Sequence, residues 1–158
     1  MAPPMALLEN PPENPCFGCG PEHPRGLHLN FERDGDEVVC RFTPKTDEIG
    51  WPGIMHTGLH FTVLFETCYW GALELTGKVQ VADGPIAYVH QRLPRVGVPF
   101  TVRARIATSE PLKLVAESVS DQGKPLGRIE IGFKPASRAG IDRAGLKLPQ
   151  YLLDDMAP

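Results

Sequence analysis

The longest apolar stretch of the sequence covers residues 57–76 and predicts a buried helix. Its apolar side chains fall on every side of a 3.6-residue helical wheel, so no broad face is left for water. A helix of about twenty residues spans roughly 30 Å, the thickness of a bilayer core. However, His60, Glu66 and Glu74 lie inside the stretch, and a charge at mid-bilayer costs about 2.5 kcal/mol or more. We therefore expect protein, and not lipid, to surround this helix.

The segment before the helix is a turn that ends in residues suited to holding a carbonyl oxygen or a phosphate. Pro52 and Gly53 punctuate the turn, Thr57 is the expected N-cap, Gly58 lets another backbone come close, and Gly77 supplies the stop. The N–H groups at a helix N-terminus attract anions and carbonyl oxygens. The alternative is a tight loop that only leads into a core helix.

Alternation of apolar and polar residues predicts strands on both sides of the helix. A hairpin with strands at 27–31 and 38–42 precedes it, and four strands with short turns follow, at 85–93, 100–109, 112–120 and 126–134. This order predicts an α+β fold in which one curled antiparallel sheet wraps around a single long central helix. Because one sheet face cannot cover the whole helix, we expect a second subunit to cover the rest, in a homodimer or homotetramer.

Length and composition are those of a single protein domain of ordinary size. At 158 residues it fits one domain, for which we expect an extended N-terminal arm at 1–15, a core domain at 16–135 and a C-terminal surface tail at 136–158. The formal net charge of −3 and the lack of a basic cluster indicate no nucleic-acid partner. No secretory-signal pattern opens the sequence, so we expect a cytoplasmic protein without a membrane partner.

The cysteines are too few for a disulfide scaffold and are expected to be reduced. Cys16 and Cys19 have the C-x-x-C spacing of a zinc knuckle, and His23, His28 or Cys40 are conceivable further ligands. The sequence contains no second C-x-x-C pair. We therefore expect a Gly/Pro-rich structural loop and no metal site.

Three segments of the chain resemble the hot-dog fold thioesterase superfamily, in particular its phenylacetate-degradation-type (PaaI-like) branch. CFGCGP at 16–21 with GL at 26–27 is similar to the opening of that family. GWPGIMHTG at 50–58 is similar to its central motif, and RVGVPFTV at 95–102 to its turn into the fourth strand. The resemblance covers residues 16–135.

This resemblance implies an acyl-CoA or related thioester bound at a dimer interface, with coenzyme A as part of the substrate and no separate cofactor. In the family, backbone N–H groups at the start of the central helix face the thioester carbonyl, and an acid on that helix activates water or attacks the carbonyl. The implied catalytic loop is His56, Thr57 and Gly58. Thr57 stands where the family has glycine, which leaves its N–H in place.

The family's helix acid is missing from its usual position. That position is Phe65 here, which would line the site, and Glu66 follows it. A step of one residue along a helix rotates a side chain by about 100°. Glu66 is either a displaced catalytic acid, acting as general base or nucleophile, or a structural acid that Thr62 or a backbone donor satisfies.

Five further residues are candidates for substrate binding. His60 lies one turn into the helix, where its side chain could point into the cavity, and Asp83 lies where a partner subunit could contribute. Arg92 and Arg95, with Arg103, lie where such proteins meet the nucleotide phosphates of coenzyme A. Each residue also has a purely structural alternative. His60 would be a satisfied interface histidine, Asp83 a turn residue in Asp83-Gly84-Pro85, and the arginines solvated charges at strand ends.

The sequence leaves two functional hypotheses. The first is a thioesterase that hydrolyses an acyl-CoA with Glu66 as the acid, which the glycine-rich turn and the neighbouring carboxylate favour. The second is a hot-dog protein that binds acyl-CoA or another apolar ligand without hydrolysing it, which Phe65 favours. From the sequence alone we expect the first.

Overall fold

The computed structural model describes residues 5–156 and contains one antiparallel sheet and one long helix, followed by two short helices. The strands are β1 (Ala6–Leu7), β2 (Phe31–Asp34), β3 (Glu37–Phe42), β4 (Gln80–His90), β5 (Phe100–Ser109), β6 (Leu112–Ser120) and β7 (Pro125–Pro135). The helices are α1 (Thr57–Thr76), α2 (Arg138–Arg143) and α3 (Gln150–Asp154). None of these helices is long and apolar enough to cross a membrane.

The sheet has the order β1-β2-β3-β5-β6-β7-β4, and every neighbouring pair is antiparallel. It lies along one side of α1 without closing around it. Gly71 allows a close approach of the helix to the sheet, since a Cβ there would lie 2.9 Å from Leu114 Cδ2. The helix buries one face against the sheet through His60, Val63, Leu64, Thr67, Cys68, Gly71 and Ala72. The predicted α+β fold of one antiparallel sheet and one long helix is confirmed, but the sheet is not curled around the helix as predicted.

The opposite side of α1 is only half covered by its own chain. Phe61, Phe65 and Tyr69 are half-buried there. The edge strand β4 leaves Ile86 and Val89 exposed. A second subunit that covers this side stays a prediction.

The boundaries of the hairpin and of β4 differ from the sequence prediction. Strand β2 begins at Phe31 instead of residue 27, because the N–H groups of Leu27 and Leu29 donate to the carbonyls of the loop that holds Cys16 and Cys19, and not to a strand. Strand β4 begins at Gln80 instead of residue 85, and its register shifts between Ala82 and Ile86.

Both ends of the chain contain regular secondary structure. In the arm, β1 pairs with β2. In the tail, α2 and α3 form, and Ile141 and Met156 are buried. The first four residues of the predicted arm, and the last two of the predicted tail, lie outside the described residues.

Candidate functional site

The first turn of α1 is capped by a histidine side chain. His56 is the N-cap, and its Nδ1 accepts a hydrogen bond of 3.0 Å from the N–H of Gly58. The prediction of Thr57 as the N-cap is therefore wrong, since Thr57 is the first helical residue. The N–H of Thr57 has no acceptor within residues 5–156. One backbone N–H at this helix N-terminus is thus available to an incoming oxygen, in the positive end of the helix dipole.

A cleft of about 740 Å³ adjoins the loop that leads into α1. Ile54 of this loop lines the cleft and forms a β-bridge with Arg95. Arg92, Arg95 and Lys124 bring three positive charges to its lining, against one carboxylate from Asp121. The structure therefore brings Arg92 and Arg95 together. Lys124 was missed because it lies in the β6–β7 turn, far from them in sequence.

Arg103 does not belong to this basic cleft. Its guanidinium donates to Asp34 and to Glu37, each at 2.8 Å. These two carboxylates raise the pKa of Arg103 further above its ordinary value. The prediction that Arg103 clusters with Arg92 and Arg95 is wrong, since β2 and β3 supply acids beside it that no local pattern reveals.

Phe65 belongs to a row of aromatic rings on the half-covered side of α1. Its ring centroid lies 5.8 Å from that of Phe61 and 5.2 Å from that of Tyr69. Tyr88 of β4 contacts Phe61 edge to face at 5.6 Å. We call these four residues the aromatic stripe. The position at which the family carries its acid is therefore apolar here.

Glu66 points away from the aromatic stripe, toward the loop at residues 16–20. A Cβ on Gly18 would lie 2.7 Å from Glu66 Cγ, so only glycine fits there without a shift. The Cys16 thiol lies 3.6 and 3.5 Å from the two carboxylate oxygens. Thr62 donates instead to the Gly58 carbonyl, so the alternative in which Thr62 satisfies Glu66 does not apply. Burial, followed by the charge of Cys16, raises the pKa of Glu66 to about 7.

Cys16, Cys19 and Glu66 form one cluster, in which the two sulfurs and a carboxylate oxygen lie within 4.8 Å of one another. Asn14 holds both cysteines, because its Oδ1 accepts from Cys16 N–H at 3.0 Å and its Nδ2 donates to Cys19 Sγ at 3.3 Å. The hydrogen bond from the Cys19 thiol lowers the pKa of Cys16 to about 5, and the same contact and burial raise the pKa of Cys19.

The composition of this cluster differs from what the sequence suggested. His23, His28 and Cys40 are not part of it. The sequence predicts no metal site because it offers only two candidate ligands close together, Cys16 and Cys19. The structure adds a third candidate, Glu66 of α1. Spacing along the chain could not reveal that ligand, because Glu66 is 50 residues from Cys16.

His60 is buried in the core and does not point into a cavity. Its Nδ1 lies 3.0 Å from the Tyr88 hydroxyl, and its Nε2 lies 2.9 Å from Ser118 Oγ. Ser118 Oγ donates to the Gly127 carbonyl, so we assign the Nε2–H tautomer, in which Nδ1 accepts from Tyr88. Burial lowers the pKa of His60 to about 4. His60 is therefore a satisfied histidine, as in the structural alternative, but it lies in the core of one chain, with hydrogen-bond partners from β4 and β6.

Asp83 is exposed on β4 and forms an ion pair of 3.0 Å with Lys134. The adjacent Ala82 donates its N–H to the Tyr69 hydroxyl. Tyr69 lies three helical turns after Thr57, a rise of about 18 Å. Within one chain, Asp83 is therefore far from the helix N-terminus.

No protein-family model and no curated protein matches this sequence. Solved structures do match its fold. The PaaI protein of the Escherichia coli phenylacetic acid degradation operon is 16% identical with a TM-score of 0.64, over 70% of this chain and 81% of that chain.

Two further structures of similar fold contain coenzyme A or its acetyl thioester. A hypothetical thioesterase protein from Streptococcus pneumoniae with coenzyme A is 12% identical with a TM-score of 0.62, over 68% of this chain and 88% of that chain. A Streptococcus mutans protein bound to acetyl-CoA is 10% identical with a TM-score of 0.61, over 68% of this chain and 88% of that chain. These likenesses show that the chain has the hot-dog fold of thioesterase-superfamily structures.

Proposed function

We propose that the chain binds an acyl-CoA thioester at the N-terminus of α1 in a homodimer, and that it has lost the helix acid that would hydrolyse the thioester. The observation that carries this proposal is the direction of the two side chains at the acid position. Phe65 lies in the aromatic stripe, and Glu66 is turned to the Cys16 thiol. Structures of the same fold hold coenzyme A and acetyl-CoA, which supports the class of ligand.

The thioester carbonyl would bind to the N–H of Thr57. This N–H is free within the described residues and lies at the positive end of α1, where a partial negative charge is stabilised. The N–H of Gly58 can join it only when His56 gives up its capping hydrogen bond. His56 therefore acts as a loop-orienting residue in this proposal, and Thr57 supplies the first donor.

The phosphates of coenzyme A would bind in the cleft beside this turn. Arg92, Arg95 and Lys124 are exposed and line the cleft together. Guanidinium groups bind phosphate through two parallel N–H donors, which makes their hydrogen bonds stronger than neutral ones. Phe100 and Leu126 add apolar surface to the same cleft.

Removing an arginine from the cleft is expected to weaken coenzyme A binding about tenfold or more. A hydrogen bond to a charged group contributes about 1.5–3 kcal/mol, and about 1.4 kcal/mol is tenfold in affinity. Titration calorimetry with coenzyme A on Arg92→Ala and Arg95→Ala measures the loss. Arg103→Ala is the matched control, because Arg103 is paired with Asp34 and Glu37. Equal affinity in all three variants would contradict the cleft as the phosphate site.

The chain is expected to form a dimer or tetramer with no stable folded monomer at micromolar concentration. One chain leaves the aromatic stripe only half-buried and the apolar β4 edge exposed, and a second chain would bury both. Light scattering should give the mass of two or four chains. Val89→Glu should dissociate the assembly, since it places a charge on the exposed β4 edge that a second chain would bury, while Leu146→Glu, at an exposed apolar residue of the tail, should not. A well-folded wild-type monomer would refute this prediction.

A second candidate function is thioester hydrolysis with Glu66 as the acid. It is favoured by the survival of a carboxylate on α1 one residue after the family position. Glu66 would have to leave the Cys16 thiol and turn toward Thr57 to take that role. Asp83 could join such a site only from the partner subunit.

A further inference from the structure

We propose that Cys16, Cys19 and Glu66 form a binding site for a divalent zinc ion. The three side chains come from two separate parts of the chain and meet with their ligand atoms within 4.8 Å of one another. The site lies on the face of α1 that carries Glu66, away from the aromatic stripe. It is independent of the proposed thioester site.

The distances between Cys16 and Glu66 fit two ligands of a tetrahedral zinc ion. Zinc binds thiolate sulfur at about 2.3 Å and carboxylate oxygen at about 2.0–2.2 Å, which separates a sulfur from an oxygen ligand by about 3.5 Å. The Cys16 sulfur lies 3.5 and 3.6 Å from the Glu66 oxygens. Two thiolates with one carboxylate are a donor set that zinc accepts, whereas magnesium and calcium prefer oxygen alone.

The surroundings of the three residues hold them in place. Asn14 accepts from the Cys16 N–H and donates to Cys19 Sγ, and Asn10 bonds both the Asn14 side chain and the Cys19 carbonyl. An N–H donor on a coordinating sulfur is the usual outer contact of a thiolate ligand. Gly18 closes the loop against Glu66, with no space for a Cβ. These contacts preorganise the cluster in the way that a metal site requires.

The cluster also has an entry path and an open coordination position. Cys19 is buried, but Cys16 and Glu66 are only partly buried, so an ion can enter from solvent. In residues 5–156 no further His, Cys, Asp or Glu joins the three, which leaves the fourth position to water. Zinc binds the deprotonated form of all three ligands, so any proton that the two sulfurs and the Glu66 carboxyl still carry would be released to solvent on binding.

The first test is the metal content of the native full-length chain, purified without a histidine tag and without chelator. Elemental analysis is expected to find about one zinc per chain. Cobalt substitution should give the intense sulfur-to-cobalt charge-transfer absorption of a thiolate site, and chelator should expose two more thiols per chain to a thiol reagent. Reduced protein that binds no zinc in micromolar excess, or a native Cys16–Cys19 disulfide in place of the ion, would overturn the proposal.

The second test uses variants with a matched control. Cys16→Ser with Cys19→Ser should abolish zinc binding, and Glu66→Gln should weaken it about a hundredfold or more, since it removes a direct ligand. Asn14→Ala should weaken it about tenfold to a hundredfold through the lost contact to sulfur. Cys68→Ala, which removes a buried thiol of the same helix outside the cluster, should leave zinc affinity unchanged. Unchanged affinity in the cysteine double variant, or an equal loss in Cys68→Ala, would overturn the assignment.

Discussion

Replacing His60 with alanine is expected to lower the free energy of unfolding by about 3–5 kcal/mol. The change leaves a cavity in the core and deprives Ser118 and Tyr88 of their hydrogen-bond partner, and each of these effects is destabilising. Denaturant unfolding at fixed protein concentration measures the loss, because the chain is expected to be oligomeric. His90→Ala is the control, since His90 is exposed on β4 and should cost about 0.5 kcal/mol or less.

The pH dependence of stability distinguishes the buried histidine from a general packing defect. Burial, with a smaller repulsion from His90, lowers the pKa of His60 to about 4 from an ordinary value of 6.5. Between these two values the unfolded chain binds more protons, so the stabilisation is full above pH about 6.5 and is lost as the pH falls toward 4. It amounts to about 3 kcal/mol. This component should disappear in His60→Ala and persist in His90→Ala. The same slope in wild type and His60→Ala would contradict the assignment.

The wild-type chain is expected to hydrolyse acyl-CoA thioesters at the background rate across chain lengths. Phe65 offers no carboxylate, and Glu66 is held at Gly18 and Cys16. Phe65→Asp is expected to raise turnover by about a hundredfold, the lower end of what a positioned general base contributes. The gain is limited because losing the phenyl ring costs a few kcal/mol of packing. A free-thiol assay with a panel of acyl-CoA substrates measures the rates.

Two controls make this rate comparison specific. Phe65→Asn has the size of aspartate without its charge and should stay at the background rate, and light scattering should confirm that both variants keep the wild-type mass. Glu66→Gln should leave the wild-type rate unchanged. Robust wild-type turnover that falls about a hundredfold or more in Glu66→Gln would establish the hydrolase candidate instead. Robust wild-type turnover that survives Glu66→Gln would exclude both the proposal that the acid is lost and the candidate in which Glu66 is the acid.

The central helix could be predicted from the sequence because its signals are local. An apolar run from residue 57 to 76 sets its length, and Gly77 ends it in the left-handed conformation at φ 66°. Strands β5 and β6 have the predicted bounds for the same reason, since alternation along one strand marks its buried face. The capping by His56 was missed because Ser, Thr, Asp and Asn lead at this position, and Thr57 stood beside it.

The candidate site could be predicted only where its residues are close in sequence. Arg92 and Arg95 share a turn and line the same cleft, as the sequence suggested. The surroundings of His60 and Glu66 depend on sheet topology and on the path of the loop at residues 16–20. Ser118 lies 58 residues from His60, and no periodicity connects such a pair. The helical step from Phe65 to Glu66 did predict that the two side chains face different surroundings.

The most direct test of the account is a crystal structure of the chain with a 2-oxoalkyl-CoA, a thioether analogue of acyl-CoA that keeps a ketone carbonyl and cannot be hydrolysed. The account predicts a dimer with the analogue's carbonyl oxygen on the N–H of Thr57, its phosphates at Arg92 and Arg95, and Phe65 beside the carbonyl carbon. Glu66 should remain at Cys16. A Glu66 carboxylate turned toward that carbon, within hydrogen-bond distance of an attacking water, would contradict the account.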